Sequence, residues 1–121
     1  MEIGKERALH WFIQRITGLV LGFGVIFHFL MFHYFGYKIG LTYLEARERL
    51  ISPGWITFYS VLLGMAIFHG MNGLWGVFLD YNFSWGSKKI IKFMLYIFGF
   101  SLFIVGGLIL IRFNIIILSD T

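Results

Sequence analysis

Three long stretches of this sequence contain no Asp, Glu, Lys or Arg. They cover residues 16–37, 50–79 and 93–111. A helix needs about 20 apolar residues to cross the hydrocarbon core of a bilayer, and each stretch is close to that length or longer. Backbone groups in lipid must be hydrogen-bonded within the chain, and no alternating pattern indicates a barrel. We therefore predict an all-α membrane protein with three transmembrane helices. The predicted spans are about 11–34, 53–79 and 89–113.

The composition agrees with residence in a membrane. The chain is 59% hydrophobic and 13% charged, with a mean hydropathy of +0.82, whereas a soluble domain of this size needs far more charge to cover its surface. Its 121 residues predict one transmembrane domain covering 1–121. The absence of cysteine excludes disulfides and cysteine-ligated iron–sulfur clusters from this chain. The net charge of +4 is not gathered in a long basic stripe, so we expect no nucleic-acid partner.

The first connector carries helix signals of its own. Thr42 and Glu45 have the spacing of a capping box, which predicts a short amphipathic helix at 43–50 lying at the membrane interface. Ser52 and Pro53 then suit the N-cap and the first helical position of the second span.

Loop length and charge predict the topology. The loop 82–88 is short, so the second and third spans should be antiparallel neighbours. Six Lys and Arg residues lie on the side of the N-terminus, against four on the other side. The first group is Lys5, Arg7, Arg15, Lys88, Lys89 and Lys92, and the second is Lys38, Arg47, Arg49 and Arg112. Positive charge favours the cytoplasmic side, so we expect a prokaryotic cytoplasmic (inner) membrane protein with a cytoplasmic N-terminus.

The second span carries a stripe of polar and small residues. From His69, a rotation of about 100° per residue places Gly73, Gly76 and Asp80 close to one line, with Asn72 at its edge. Small residues allow close approach of a neighbouring helix or a flat cofactor. Asp80 lies about 16 Å from His69 along the axis, so His69 should lie near the middle of the membrane if Asp80 marks its boundary.

An imidazole in lipid either hydrogen-bonds to another helix or binds a metal, and His69 is open to both interpretations. Neutral imidazole is a common axial ligand of haem iron.

Arg15 at the mouth of the first span either anchors the topology or donates to a ligand carbonyl at the membrane edge. Gly18 and Gly22 form a GxxxG pattern that indicates helix packing.

The sequence also allows a function of another class. In a small transporter or channel subunit, His69 and Asp80 would line a polar path for ions. Against this, the stripe has one ionisable residue near the midplane and no acidic partner in the core. A haem-free assembly anchor is a third alternative.

Two motifs resemble the membrane anchor subunits of succinate dehydrogenase and fumarate reductase, the respiratory complex II family. Many of these anchors begin their first span with His/Gln-Arg-x-Ser/Thr-Gly, and residues 14–18 read Gln-Arg-Ile-Thr-Gly. Their second span carries a haem-ligating histidine, a glycine four residues on and an aspartate eleven residues on, often followed by tyrosine. His69, Gly73, Asp80 and Tyr81 fall at these spacings, and Trp75 resembles one of the anchor types.

The resemblance implies cofactors and site residues. His69 would be an axial ligand of a b-type haem, with the other ligand supplied by a second membrane anchor subunit. Tyr81 and Asp80 would lie by a quinone pocket on the cytoplasmic side, and Arg15 would border it. The quinone would be ubiquinone or menaquinone, and one or two haems b are expected.

Two departures from the family pattern affect these expectations. Some members carry a quinone-contacting serine where this chain has Trp11, so the hydroxyl is absent or comes from Thr17 or the partner. Anchors with two haems carry a first-span histidine at about the distance of His28, which makes His28 a candidate second ligand, favoured over His33 for its depth. Helices pack 8–10 Å apart, too close for one haem between His28 and His69.

The resemblance also implies partners. An iron–sulfur subunit and a flavoprotein subunit would dock on the cytoplasmic side, and succinate oxidation would occur on the flavoprotein. This chain would be a non-catalytic subunit of a quinone-reducing oxidoreductase complex, supplying ligation, orientation and electrostatics.

Overall fold

The structure is a computed structural model that describes residues 2–35 and 42–119. Within these ranges it contains four α-helices, one π-helical turn and no strand, which confirms the predicted all-α fold. The elements in chain order are α1 (Glu2–Leu30), the π-helical turn (Met31–Phe35), α2 (Tyr43–Ile51), α3 (Pro53–Asp80) and α4 (Trp85–Ser119).

Three helical segments among the described residues are long and apolar enough to cross a membrane, as predicted. They are Gly4–Tyr34, Pro53–Asp80 and Trp85–Arg112. The first helix begins at Glu2 rather than near residue 11. Charged residues at 2–10 mark the edge of lipid, but Glu, Lys and Arg are good helix formers, so the helix continues beyond the membrane boundary.

The link between α3 and α4 is shorter than the predicted loop 82–88, and that prediction was wrong for its second half. Helix α4 begins at Trp85. The backbone N–H of Ser87 donates to Oγ of Ser84 at 3.3 Å, and the N–H of Lys88 donates to the Ser84 carbonyl at 3.0 Å. Ser84 therefore acts as the N-cap and draws the next four residues into the helix.

The short helix in the first connector is present, and its capping box is formed. The Glu45 N–H donates to Oγ1 of Thr42 at 3.4 Å, and the Thr42 N–H donates to Oε2 of Glu45 at 3.5 Å. Ser52 ends α2 and precedes Pro53, the first residue of α3, although its side chain forms no capping bond. Helix α2 lies against both α3 and α4.

Helix α3 is the central element, because it packs against α1 on one side and α4 on the other. Glycines allow the approach to α4. A Cβ added at Gly99 would lie 3.0 Å from Met71 Cγ, and one at Gly106 would lie 2.6 Å from Leu63 Cδ2. Apolar side chains cover the outer surface of the helices, as expected of a surface in contact with lipid.

Candidate functional site

A side-chain hydrogen bond joins the two predicted motifs across the interface of α1 and α3. Oγ1 of Thr17 lies 3.0 Å from Nδ1 of His69. The same hydroxyl donates to the carbonyls of Ile13 at 2.8 Å and Gln14 at 3.2 Å. Because its one proton is directed to these carbonyls, Oγ1 accepts from His69, and the imidazole carries its proton on Nδ1. At 5% exposure, Thr17 is the one buried polar residue among the side chains that the structure describes.

The other ring nitrogen of His69 keeps its lone pair in this tautomer. Nε2 of Gln14 lies 3.4 Å from Nε2 of His69 and also donates to the His69 carbonyl at 3.1 Å. The first contact is at the long end of hydrogen-bond distances and is correspondingly weak. The helix-bridging role considered for His69 is therefore present, and Nε2 remains able to accept a stronger partner.

The polar contacts continue from His69 towards the beginning of α1. Nδ2 of Asn72 donates to Oε1 of Gln14 at 2.7 Å. Nδ1 of His10 donates to Oδ1 of Asn72, also at 2.7 Å. His10 and Gln14 are four residues apart on α1, while His69 and Asn72 are three apart on α3. The spacing marks one polar face on each helix, a signal that suggests the two faces pack together but does not determine which residues pair.

Glycines make room for this network. A Cβ at Gly18 would lie 3.0 Å from Cε1 of His69, and a Cβ at Gly73 would lie 3.0 Å from Nε2 of Gln14. Gly22 and Gly76 have open space around them. The predicted helix-packing role therefore holds for Gly18, which lies against the side chain of His69 on α3. Among the described residues, no atom of another helix lies within 4 Å of a Cβ added at Gly22, so Gly22 has no such role within this chain.

Asp80 and Tyr81 lie at the end of α3, away from the network. Asp80 is the last helical residue, and its position places it about 16 Å from His69 along the axis. Tyr81 is 60% exposed, and its ring packs beside that of Phe83 with centroids 5.7 Å apart.

Arg15 does not lie at the level of Asp80 and Tyr81 along the bundle. Its guanidinium lies 3.9 Å above the ring of Trp11, and it follows Gln14, whose side chain touches His69. Helices α1 and α3 are antiparallel, so the backbone of Arg15 is near the level of His69, about 16 Å from the level of Asp80, while its guanidinium reaches back one helical turn to Trp11. The structure therefore does not bring Arg15 beside Asp80 or Tyr81 within this chain. The Lys and Arg count predicts on which side of the membrane Arg15 lies, but not how deep in the membrane it lies. Helix α1 extends well beyond the predicted boundary near residue 11, so Arg15 does not mark the end of the helix.

The remaining histidine candidates lie towards the opposite end of the bundle. Nδ1 of His28 lies 3.2 Å from the hydroxyl of Tyr59. Tyr59 precedes His69 by about 15 Å along α3, so His28 and His69 do not face one iron site. His33 is exposed, donates from Nδ1 to the Phe29 carbonyl at 3.1 Å and stacks on its ring. Lys38, which the charge count includes, lies outside the described residues.

The described part of the chain contains no group of three or more His, Cys, Asp or Glu residues that could hold a metal ion. His28 is about 15 Å from His69 along the bundle, so it does not stand beside His69 as a second ligand. A single imidazole with a fixed Nδ1–H and a free lone pair on Nε2 fits one axial position of a haem.

The sequence is similar to known membrane proteins. Residues 3–108 match the family described as succinate dehydrogenase/fumarate reductase transmembrane subunit. The chain is 34% identical over 94 residues to a succinate dehydrogenase hydrophobic membrane anchor subunit of Archaeoglobus fulgidus, covering 76% of this chain and 80% of that protein. It is 29% identical over 86 residues to a protein of the same description from Thermoplasma acidophilum, covering 70% and 69%.

Proposed function

Since the chain belongs to the family of succinate dehydrogenase and fumarate reductase transmembrane subunits, we propose that it holds a b-type haem through His69 and forms part of a quinone site. The chain is a multi-pass membrane protein, and a membrane anchor of this family works in a complex with other subunits. The observation that carries the proposal is the hydrogen bond between Thr17 and His69.

This hydrogen bond prepares the imidazole for a metal. Thr17 holds the proton on Nδ1 and orients the ring, as outer hydrogen-bond partners of metal-binding histidines commonly do. Among the described residues, the hydrogen-bond partner of Nε2 is Gln14, at a long distance, and this weak bond is one that ligation would replace. The haem would supply one-electron redox chemistry at this level of the membrane, while the protein supplies ligation and orientation. A second anchor subunit would supply the other axial ligand.

The quinone-side residues of this chain are Tyr81 and Asp80. The exposed hydroxyl of Tyr81 can donate to a quinone carbonyl and stabilise negative charge on that oxygen during reduction. Asp80 lies beside it and can pass or accept a proton. The backbone of Arg15 lies about three helical turns deeper, so we expect a partner subunit to contribute to a quinone pocket that contains both Arg15 and Tyr81.

The proposed partner subunits would dock at the end of the bundle where Tyr81 lies. The beginning of α1 and the link at 81–84 share one end of the bundle, which the Lys and Arg distribution assigns to the cytoplasm of a prokaryotic cell. The iron–sulfur subunit would dock there, with the flavoprotein subunit beyond it. Oxidation of succinate on the flavoprotein releases two electrons and two protons, and a quinone that takes up two of each becomes a quinol.

The polar network favours this function over an ion path. Its members in the described chain are a threonine, two amides and two imidazoles, and no carboxylate takes part. A proton or cation path through the membrane ordinarily uses ionisable groups in sequence. An anchor with an oriented haem ligand needs the arrangement that is present.

Absorbance spectroscopy of the purified complex tests the haem assignment. The reduced complex should show b-type absorbance, and His69→Ala should lose it while subunit composition is retained. Ser101→Ala is the control, because its hydroxyl bonds back to the Ile97 carbonyl of its own helix. Unchanged absorbance in His69→Ala would show that the haem assignment is wrong. The sequence prediction of a second haem at His28 stays a prediction, and a haem count per anchor tests it.

A further inference from the structure

A cavity of about 520 Å³ lies between the end of α1 and helices α2, α3 and α4, far from Tyr81. Its polar lining consists of His28, Arg49 and Tyr59. We propose that this cavity binds an anionic membrane phospholipid, with the headgroup phosphate at Arg49 and an apolar chain between α3 and α4.

Arg49 is the residue that requires an anion. Its Nη1 is buried and has no hydrogen-bond partner among the described residues. The guanidinium stacks 3.7 Å above the ring of Phe32. Stacking uses the face of the guanidinium, so its N–H groups, which lie in the plane, stay available to an acceptor. A buried donor on a charged group without an acceptor is unfavourable, so an external acceptor oxygen stabilises this arrangement.

The nearby carboxylate of Glu45 has another role. It accepts from the Thr42 N–H in the capping box at the beginning of α2. Phosphate oxygens match the two-pronged geometry of a guanidinium better than any other common anion except a carboxylate. The Tyr59 hydroxyl lines the same space and can contact a second oxygen while keeping its bond to His28, because a hydroxyl both donates and accepts.

The rest of the lining selects an amphiphile over a free ion. It is almost wholly apolar, with Leu62, Leu63 and Ala66 on α3 and Ile109 on α4. The volume lies within the range of about 300–1,000 Å³ found for ligand pockets. Arg49 precedes the second span by a few residues, so it lies at the membrane surface where lipid phosphates are, while the leucines lie in the hydrocarbon.

Native mass spectrometry of the purified, detergent-washed complex tests the proposal by titration with phosphatidylglycerol and phosphatidylcholine. The wild-type complex should bind one phosphatidylglycerol at this site, about tenfold or more tighter than phosphatidylcholine. Arg49→Gln should weaken that binding about tenfold, and Arg49→Lys less, since the charge remains. Arg112→Gln is the matched control, because Arg112 is an exposed cation at the same end of the bundle and should bind lipid like the wild type.

A second variant tests the apolar part of the site without touching the charge. Ala66 lines the cavity and is exposed, so Ala66→Phe can fill the space and should also displace the lipid. Equal lipid affinity in Arg49→Gln and Arg112→Gln would overturn the proposal. Inorganic phosphate binding as tightly as phosphatidylglycerol would overturn it in favour of a free anion. Loss of b-type haem in His28→Ala, or loss of a subunit in Arg49→Gln, would instead assign the cavity to haem or to a subunit contact.

Discussion

The imidazole of His69 donates from Nδ1 to the hydroxyl of Thr17, 3.0 Å away across the interface of α1 and α3. The two residues are 52 positions apart in the chain, and their side chains are in direct contact at the interface. One residue comes from each of the two family-like motifs, so the bond physically connects the Gln-Arg-Ile-Thr-Gly segment to the proposed haem ligand. In this arrangement the first motif serves the second as its orienting partner.

Replacing Thr17 by valine should disturb the haem environment. Valine has nearly the same shape but offers no acceptor, which leaves the Nδ1–H of His69 unpaired at a cost of about 1–3 kcal/mol. We expect lower haem retention and an altered reduced spectrum. Thr57→Val is the matched control, because the Thr57 hydroxyl bonds only the Pro53 carbonyl of its own helix. Identical spectra and haem content in the two variants would contradict the orienting role.

Gly18→Ala should move His69. The added Cβ would lie 3.0 Å from Cε1 of the ring, so the ring or the helices must give way by a few tenths of an ångström. Overpacking of this kind costs about 1–3 kcal/mol, and we expect weaker haem retention and a lower thermal midpoint of the complex. Gly22→Ala has open space and should be neutral or stabilising, since alanine favours a helix by about 1 kcal/mol over glycine. A Gly18→Ala complex as stable as Gly22→Ala, with equal haem content, would show that the close approach is unimportant.

Tyr81→Phe should slow quinone reduction while succinate oxidation with a soluble dye continues. The change removes one hydrogen bond to the proposed quinone carbonyl, which corresponds to roughly a tenfold loss of rate or affinity. Tyr34→Phe is the matched control, since Tyr34 is 74% exposed at the other end of the bundle. If Tyr81→Phe loses both activities together, the residue acts in assembly and its quinone role is wrong.

Ser84→Ala should weaken the beginning of α4. Removing an N-cap side chain costs about 1 kcal/mol of helix stability, because the N–H of Ser87 loses its acceptor. We expect a lower thermal midpoint with unchanged haem absorbance, measured on the same purified complex. Ser101→Ala, where the hydroxyl only bonds back to the Ile97 carbonyl within α4, should leave the midpoint unchanged. Equal midpoints for the two variants would mean that α4 does not depend on this cap.

Local patterns in the sequence predicted the elements well where lipid or a cap determines them. Charge-free stretches identified the three spans, since a charged side chain is costly in the hydrocarbon core. Thr42 and Glu45 identified α2 because a capping box is formed by residues three apart. The helix ends at Glu2 and Trp85 were missed, since the edge of lipid is not the end of a helix, and Ser84 was not recognised as a cap.

By itself, the sequence determined that this chain crosses a membrane three times. It also determined that the imidazole of His69 needs a hydrogen-bond or metal partner within the membrane, because lipid offers a polar group no such partner. Only the tertiary structure decided that the partner is Thr17, and that Arg15 lies far from Tyr81 along the bundle. Those relationships depend on the axial register and rotation of α1 against α3. The axial register and the rotation are both set by side-chain packing across the whole interface, including the clearance at Gly18 and Gly73. The spacing of residues within one helix does not determine either of them.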